Sequence, residues 1–178
     1  TGEEIIVAAT ATIGEKISLR RLAVVEKADD EVFGVYKHNA GKIVVVSVIK
    51  GSDALVAKDI CMHVAMYNPR YLDETQVDPE VIEHERKVLV AEAKQQNPEK
   101  PEAILEKMVE GRIRKFKKEI CLVDQAFVKD PSVSVAQYLA SKNTKAAAYL
   151  RYEVGEGMEK RNEDFAAEVA AAAAAAKH

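Results

Sequence analysis

The sequence predicts an α+β fold. A small antiparallel sheet of three to four strands packs with helices, carries an inserted antiparallel helical hairpin, and is followed by a C-terminal helix. Three observations predict it. Short runs rich in branched residues lie between tight turns, and Ile43-Val44-Val45-Val46-Ser47-Val48-Ile49 is the strongest. Between residues 78 and 123, two apolar stripes at helical spacing flank a turn marked by Pro98 and Pro101. An alternating run at residues 147–154 comes after those stripes, so the hairpin interrupts the sheet.

Taken in order, residues 3–13 are apolar and alanine-rich and read as the last turns of a helix, with Gly14 as its stop. Residues 17–25 read as a first strand and residues 32–38 as a second. Asn39-Ala40-Gly41 is a hairpin loop, and residues 43–49 form a central strand ended by Gly51. Ser52 is placed to cap a helix over 53–67 whose buried face is Val56, Ile60, His63, Val64 and Tyr67, and Asn68-Pro69 stops it.

Asp78 and Pro79 suit the cap and first position of the next helix. Its apolar residues fall on two lines, Val81, Val88 and Ala91, then Ile82 and Leu89. The return arm carries Leu105, Val109, Ile113, Phe116, Ile120 and Val123. His84 or Glu85 falls where a core residue is wanted, so the seam is thin and the hairpin is expected to project. Residues 124–131 read as a loop with an apolar centre, 134–141 as a short helix, and 147–154 as the last strand. Asn162 caps a final helix with Glu163 and Asp164 in its first turn. The expected organisation is a core subdomain of residues 1–72 and 124–157, an inserted coiled-coil hairpin of 73–123, and a C-terminal helical module of 158–178.

The chain has 178 residues, of which 48 % are hydrophobic and 31 % charged, an ordinary globular balance. A net charge of −3 and the lack of a basic run interleaved with aromatics argue against a nucleic-acid partner. Lys107, Arg112, Arg114, Lys115, Lys117 and Lys118 are interrupted by Glu106, Glu110 and Glu119 and read as a solvated helix face. No apolar run approaches the roughly 20 residues that span a bilayer. Cys61 and Cys121 sit in apolar helical patterns and read as reduced core residues, which implies cytoplasm or an organelle matrix. The first residue is Thr1, and the chain reads as a piece of a longer protein.

Neither a metal site nor a reaction centre is expected. Cys61 and His63 stand two apart on a helix and share no face. His84-Glu85 lacks the second histidine of a zinc motif, and Gly155-Glu156-Gly157 lacks the third glycine of a nucleotide loop. The residues alone imply a binding protein that is not an enzyme and carries no cofactor.

Five stretches, in order, are spread along the chain from residue 11 to residue 160, short of its alanine tail. They are Ala11-Thr12-Ile13-Gly14-Glu15-Lys16-Ile17-Ser18-Leu19-Arg20-Arg21, Ala57-Lys58-Asp59-Ile60-Cys61-Met62-His63-Val64-Ala65, Asn68-Pro69-Arg70-Tyr71-Leu72, Lys107-Met108-Val109-Glu110-Gly111-Arg112 and Arg151-Tyr152-Glu153-Val154-Gly155-Glu156-Gly157-Met158-Glu159-Lys160. Together they resemble bacterial translation elongation factor Ts, in the form with an inserted coiled coil. That resemblance implies a guanine-nucleotide exchange factor whose partner is elongation factor Tu. In the family, an N-terminal helical domain precedes a core whose first half carries a Thr-Asp-Phe-Val motif. The motif disturbs the magnesium and phosphate site of the GTPase and releases GDP. No such motif occurs here, and Asn162-Glu163-Asp164-Phe165 only echoes it.

The resemblance also implies partner contacts. Ile13 and Gly14 match the Ile-Gly pair after the core's long helix, and His38 matches the histidine ending the second strand. Val128 and Lys129 match the loop after the coiled coil, where Lys129 departs from the apolar residue often found. The residues alone leave open that Ile13 is core, Gly14 only a helix stop, and His38 a solvated hairpin residue. They also leave open a different class of function, a coiled-coil module that pairs chains or docks other machinery. A homodimer through the coiled coil or the sheet belongs to that reading.

Overall fold

The computed structural model describes residues 1–51 and 53–158. The elements run α1 (Gly2–Ile13), β1 (Glu31–His38), β2 (Ile43–Lys50), α2 (Ala54–Tyr67), α3 (Pro79–Gln96), α4 (Glu102–Ile120), β3 (Ala126–Phe127), β4 (Asp130–Ser134), α5 (Val135–Ser141) and β5 (Lys145–Glu153). This is the α+β architecture expected. The main sheet is antiparallel in the order β1-β2-β5, and β3 pairs with β4 in a separate two-stranded piece. The final helix capped by Asn162, and the module to which it was assigned beyond residue 158, lie outside the described residues.

Local chemistry explains most boundaries. Gly14 ends α1 in the left-handed region at φ 79°, and its N–H donates to the Thr10 carbonyl at 2.9 Å. Asp78 caps α3 by accepting the Glu80 N–H at 2.9 Å, with Pro79 in the first turn. Ser134 caps α5 in a reciprocal box with Gln137. The α2 cap is Asp53 rather than Ser52, which lies outside the described residues. The Asp53 carboxylate accepts the N–H groups of Leu55 and Val56, an acceptor better matched to a helix N-terminus than a hydroxyl.

Three expectations need correction. Residues 17–25 form no strand, because no neighbour offers them a ladder. The segment is held instead by side chains: Arg20 donates to the Glu156 carbonyl, Arg21 pairs with the Glu156 carboxylate, and Arg21 lies 4.5 Å over the Tyr152 ring. The apolar centre at 126–128 is not plain loop, since Ala126–Phe127 pairs with β4. Tyr67 is 51 % exposed at the end of α2; Val56, Ile60, His63 and Val64 are buried as expected, and Ala57, Cys61 and Ala65 widen the buried face.

The main core lies between α2 and one sheet face. Val45, Ser47 and Ile49 of β2 point into it and are fully buried, as are Ala57, Ile60, Cys61 and Val64. Ser47 Oγ donates to the Ala57 carbonyl at 2.9 Å and receives the Cys61 thiol at 3.2 Å, so a serine mid-strand leaves no orphaned polar atom. Both cysteines are buried and free. Burial pushes both thiols up, Cys121 to about 11, which keeps them protonated.

The hairpin has its own apolar cluster of Leu89, Ala93, Leu105, Val109 and Ile113, flanked by Ile82, Val90 and Met108. The seam follows the Ile82–Leu89 line. Val88, on the other line, is 41 % exposed, and His84 is exposed. Exposed ion pairs such as Arg86–Glu110 and Lys94–Glu102 cross between the arms but contribute little. At its root the hairpin is fastened to the body. The Arg70 and Tyr71 N–H groups donate to the Ile120 carbonyl at 2.9 and 3.1 Å, and Leu122 N–H donates to the Tyr71 carbonyl at 2.9 Å. Replacing residues 80–118 with a short Gly/Ser linker should therefore leave a cooperative thermal transition, because the root and the main core are untouched. Stopping at Lys118 keeps the Glu119 carbonyl, which Gln125 uses. Loss of cooperativity in the melting curve would show that the arm belongs to the core.

Candidate functional site

The five residues singled out as contacts fall in three places. Ile13 and Gly14 end α1, His38 ends β1, and Val128 and Lys129 form the turn between β3 and β4. Among the described residues no hydrogen bond or ion pair joins the three groups. They are separate points on a surface, not a convergent cluster.

The first point is open. Ile13 is 61 % exposed, and α1 buries no residue, so Ile13 is not a core side chain. Gly14 has open space around its α-carbon, yet its positive φ disfavours any side chain there. The second point stands beside a strained turn. Asn39, Ala40 and Gly41 all have positive φ, and an alanine in that region costs roughly 1 kcal/mol or more. His38 is half-buried on that turn, with Tyr36 Oη 3.4 Å from its Nδ1 and ring centroids 6.0 Å apart.

The third point is held from below by one helix. Lys129 Nζ donates to Asp59 Oδ1 at 2.6 Å, and Asp59 Oδ2 accepts the Tyr138 hydroxyl at 2.8 Å. Burial and that carboxylate together raise the Tyr138 phenol well above its usual range. Val128 packs on the main core, and its N–H donates to His63 Nδ1 at 3.2 Å. His63 is fully buried, with Nε2 2.8 Å from Gln125 Oε1, while Gln125 Nε2 donates to the Glu119 carbonyl at 2.6 Å. Burial pushes His63 down, against the opposing pull of the Gln125 bond, so its ring is neutral at ordinary pH.

Sequence reasoning missed Asp59, Gln125 and Tyr138. Asp59 had one available signal: a carboxylate one turn before His63, on the same side of a helix otherwise reading as buried. Gln125 gave none, because its role depends on how the hairpin returns to the body. His63 was read as a core histidine; it is core, and both ring nitrogens are engaged. Among the described residues, no group of three His, Cys, Asp or Glu side chains is arranged to hold a metal, and no helix is long and apolar enough to cross a membrane.

Comparison with known proteins gives a consistent answer. The family model for elongation factor Ts matches residues 1–156. The chain is 53 % identical over 169 residues to elongation factor Ts of Lacticaseibacillus casei (strain BL23), covering 95 % of this chain and 57 % of that protein. It is 52 % identical over 164 residues to elongation factor Ts of Pediococcus pentosaceus, covering 92 % of this chain and 56 % of the relative. The chain thus spans about half the length of the curated relatives it matches.

Proposed function

The chain belongs to the elongation factor Ts family, and from that premise we propose that it is the portion of a guanine-nucleotide exchange factor that grips elongation factor Tu. The observation that carries this reading is the 53 % identity sustained across 95 % of the chain. Exposed Ile13 and Gly14, half-buried His38 and the tethered Val128–Lys129 turn supply a mixed apolar and polar surface of the kind a moderate interface uses. Lys129 contributes mainly its alkyl stem, because its ammonium is engaged by Asp59. In this reading the protein works in the cytoplasm, catalyses no bond chemistry, and needs no cofactor, membrane or nucleic acid. Residues 1–72 and 124–157 act as one core subdomain, 73–123 as an inserted arm, and 158–178 as a separate module.

These 178 residues contain no Thr-Asp-Phe-Val segment. They are therefore expected to bind the GTPase while accelerating nucleotide release little. A pull-down with purified elongation factor Tu tests binding, and stopped-flow release of fluorescent GDP tests exchange. Retention with near-basal release is expected; strong acceleration sinks the weak-exchange part, and failure to bind sinks the whole. His38→Ala belongs in the same series. Removing a half-buried ring at a turn should change folding by no more than about 0.5 kcal/mol. Removing an interface anchor costs roughly 1–2 kcal/mol, about a five- to thirtyfold loss of affinity. A lowered melting point with unchanged affinity would make His38 a packing residue.

A second reading has its own observation. Val88 and Ile104 leave the hairpin surface 41 % and 47 % exposed, apolar area that a second copy or another partner could cover. The linker variant separates the two readings: it keeps binding to elongation factor Tu in the first and abolishes association in the second.

A further inference from the structure

We propose that His63 is a positioning residue for partner binding, holding the Val128–Lys129 turn in place by accepting the Val128 amide on Nδ1. The inference rests on the reading that this turn meets elongation factor Tu. It goes further by naming the buried group that sets the turn's position.

The polarity of each bond is fixed without ambiguity. A backbone N–H only donates, so His63 Nδ1 accepts from Val128 at 3.2 Å and carries no proton. The neutral ring then bears its proton on Nε2 and donates it to Gln125 Oε1, 2.8 Å away. Gln125 is oriented to receive it because its own amide nitrogen donates to the Glu119 carbonyl at 2.6 Å. Glu119 lies in the last turn of α4, so the chain of bonds runs from the hairpin's exit, through α2, to the turn.

The Val128 amide has no other acceptor among the described residues. The β3–β4 ladder pairs Ala126 with Ser134 and Phe127 with Asp130, and stops short of it. The Val128 amide is half-buried, and leaving it without an acceptor carries a cost, so the turn settles where the imidazole can reach it. The ring plane is fixed in turn by stacking on Tyr67 at 4.8 Å and Phe127 at 6.1 Å between centroids. Asp59, four residues earlier on the same helix face, holds Lys129 at 2.6 Å. Two successive residues of the turn are thus tethered to two successive turns of α2. A histidine serving only as core filler would leave its Nδ1 facing apolar atoms; this one is aimed at a surface turn.

The first measurement needs no substitution. Long-range proton–nitrogen correlation spectra at neutral pH should show the His63 ring protonated at Nε2 alone; a proton on Nδ1 overturns the inference. The second uses two variants of similar cost to the core. In His63→Asn the side-chain oxygen falls near the position of Nδ1 and still accepts the amide. In His63→Gln the amide reaches toward Gln125 but leaves Val128 without an acceptor. His63→Gln should speed hydrogen exchange of the Val128 amide by about tenfold or more, and weaken binding to elongation factor Tu by about fivefold. His63→Asn should hold both within about twofold, although the two variants melt alike. Equal exchange in the two variants, or affinity that follows the melting point, overturns the positioning role. Should neither variant fold, the tautomer decides. An unsubstituted chain that does not bind elongation factor Tu overturns the function proposed above, whereas Val128 exchange still decides whether His63 holds the turn.

Discussion

Gly34→Ala should destabilise the chain by on the order of 3 kcal/mol or more, enough to unfold a marginal domain. Gly34 lies mid-strand in β1, opposite Ser47 of β2, on the face that meets α2. A β-carbon built there would stand 2.3 Å from the Ala57 carbonyl oxygen, 2.4 Å from its carbon and 2.7 Å from Ser47 Oγ. The first two are backbone atoms of a buried helix and cannot swing aside. To admit the methyl group, α2 must lift from the sheet, and the Ser47–Ala57 and Cys61–Ser47 hydrogen bonds must lengthen with it. The glycine therefore sets how closely helix and sheet approach; its backbone does not need the left-handed region. Urea unfolding of Gly34→Ala alone and with Ser47→Ala checks the cause. Ser47→Ala removes the side-chain conflict and leaves the backbone one, so it should not restore stability. A Gly34→Ala variant within 1 kcal/mol of the parent would mean that α2 slides easily on the sheet.

Gly34 also marks where sequence reading stops. Its neighbours Val32, Phe33, Val35 and Tyr36 declare a strand by type and alternation, and a glycine among them only weakens that signal. The close approach it permits is a fact about a helix more than 20 residues away. The same division runs through the chain. Gly14, Asp78-Pro79 and Ser134 act within a turn of themselves, and each boundary was legible. Residues 17–25 read as a strand by residue type, but a strand is a pairing, and no partner is readable from one segment. Asp53, which caps α2, stands directly after Ser52, and residue type alone does not choose between two neighbouring capping residues. In the candidate site, Ile13, Gly14, His38, Val128 and Lys129 were reached through resemblance, since none carries a chemical signature alone. What holds two of them, the Asp59–His63 face with Gln125, required the return path of the hairpin arm to be known.

Phe127→Ala should cost about 3–5 kcal/mol, in the range for emptying an aromatic site in a core. Phe127 is 2 % exposed and is among the largest fully buried side chains of the body. Its ring stacks on Tyr138 with centroids 4.0 Å apart and planes 13° off parallel, and on His63 at 6.1 Å. The loss reaches beyond a cavity, because those two neighbours are the groups that tether the turn. Tyr138 is hydrogen-bonded to the Asp59 carboxylate that holds Lys129, and His63 accepts the Val128 amide. One ring thus supports both attachments of the Val128–Lys129 turn, from the residue immediately before it. Phe127→Leu keeps most of the volume and should cost only about 1–2 kcal/mol, while loosening the ring stack. Chemical denaturation of both variants gives the stabilities. Affinity for elongation factor Tu, measured where each remains folded, gives the coupling. The expected order is parent, then Leu, then Ala in both measurements. A Phe127→Ala chain less than 1 kcal/mol below the parent would place the β3–β4 piece outside the cooperative core, and the turn's position would then have to come from the partner.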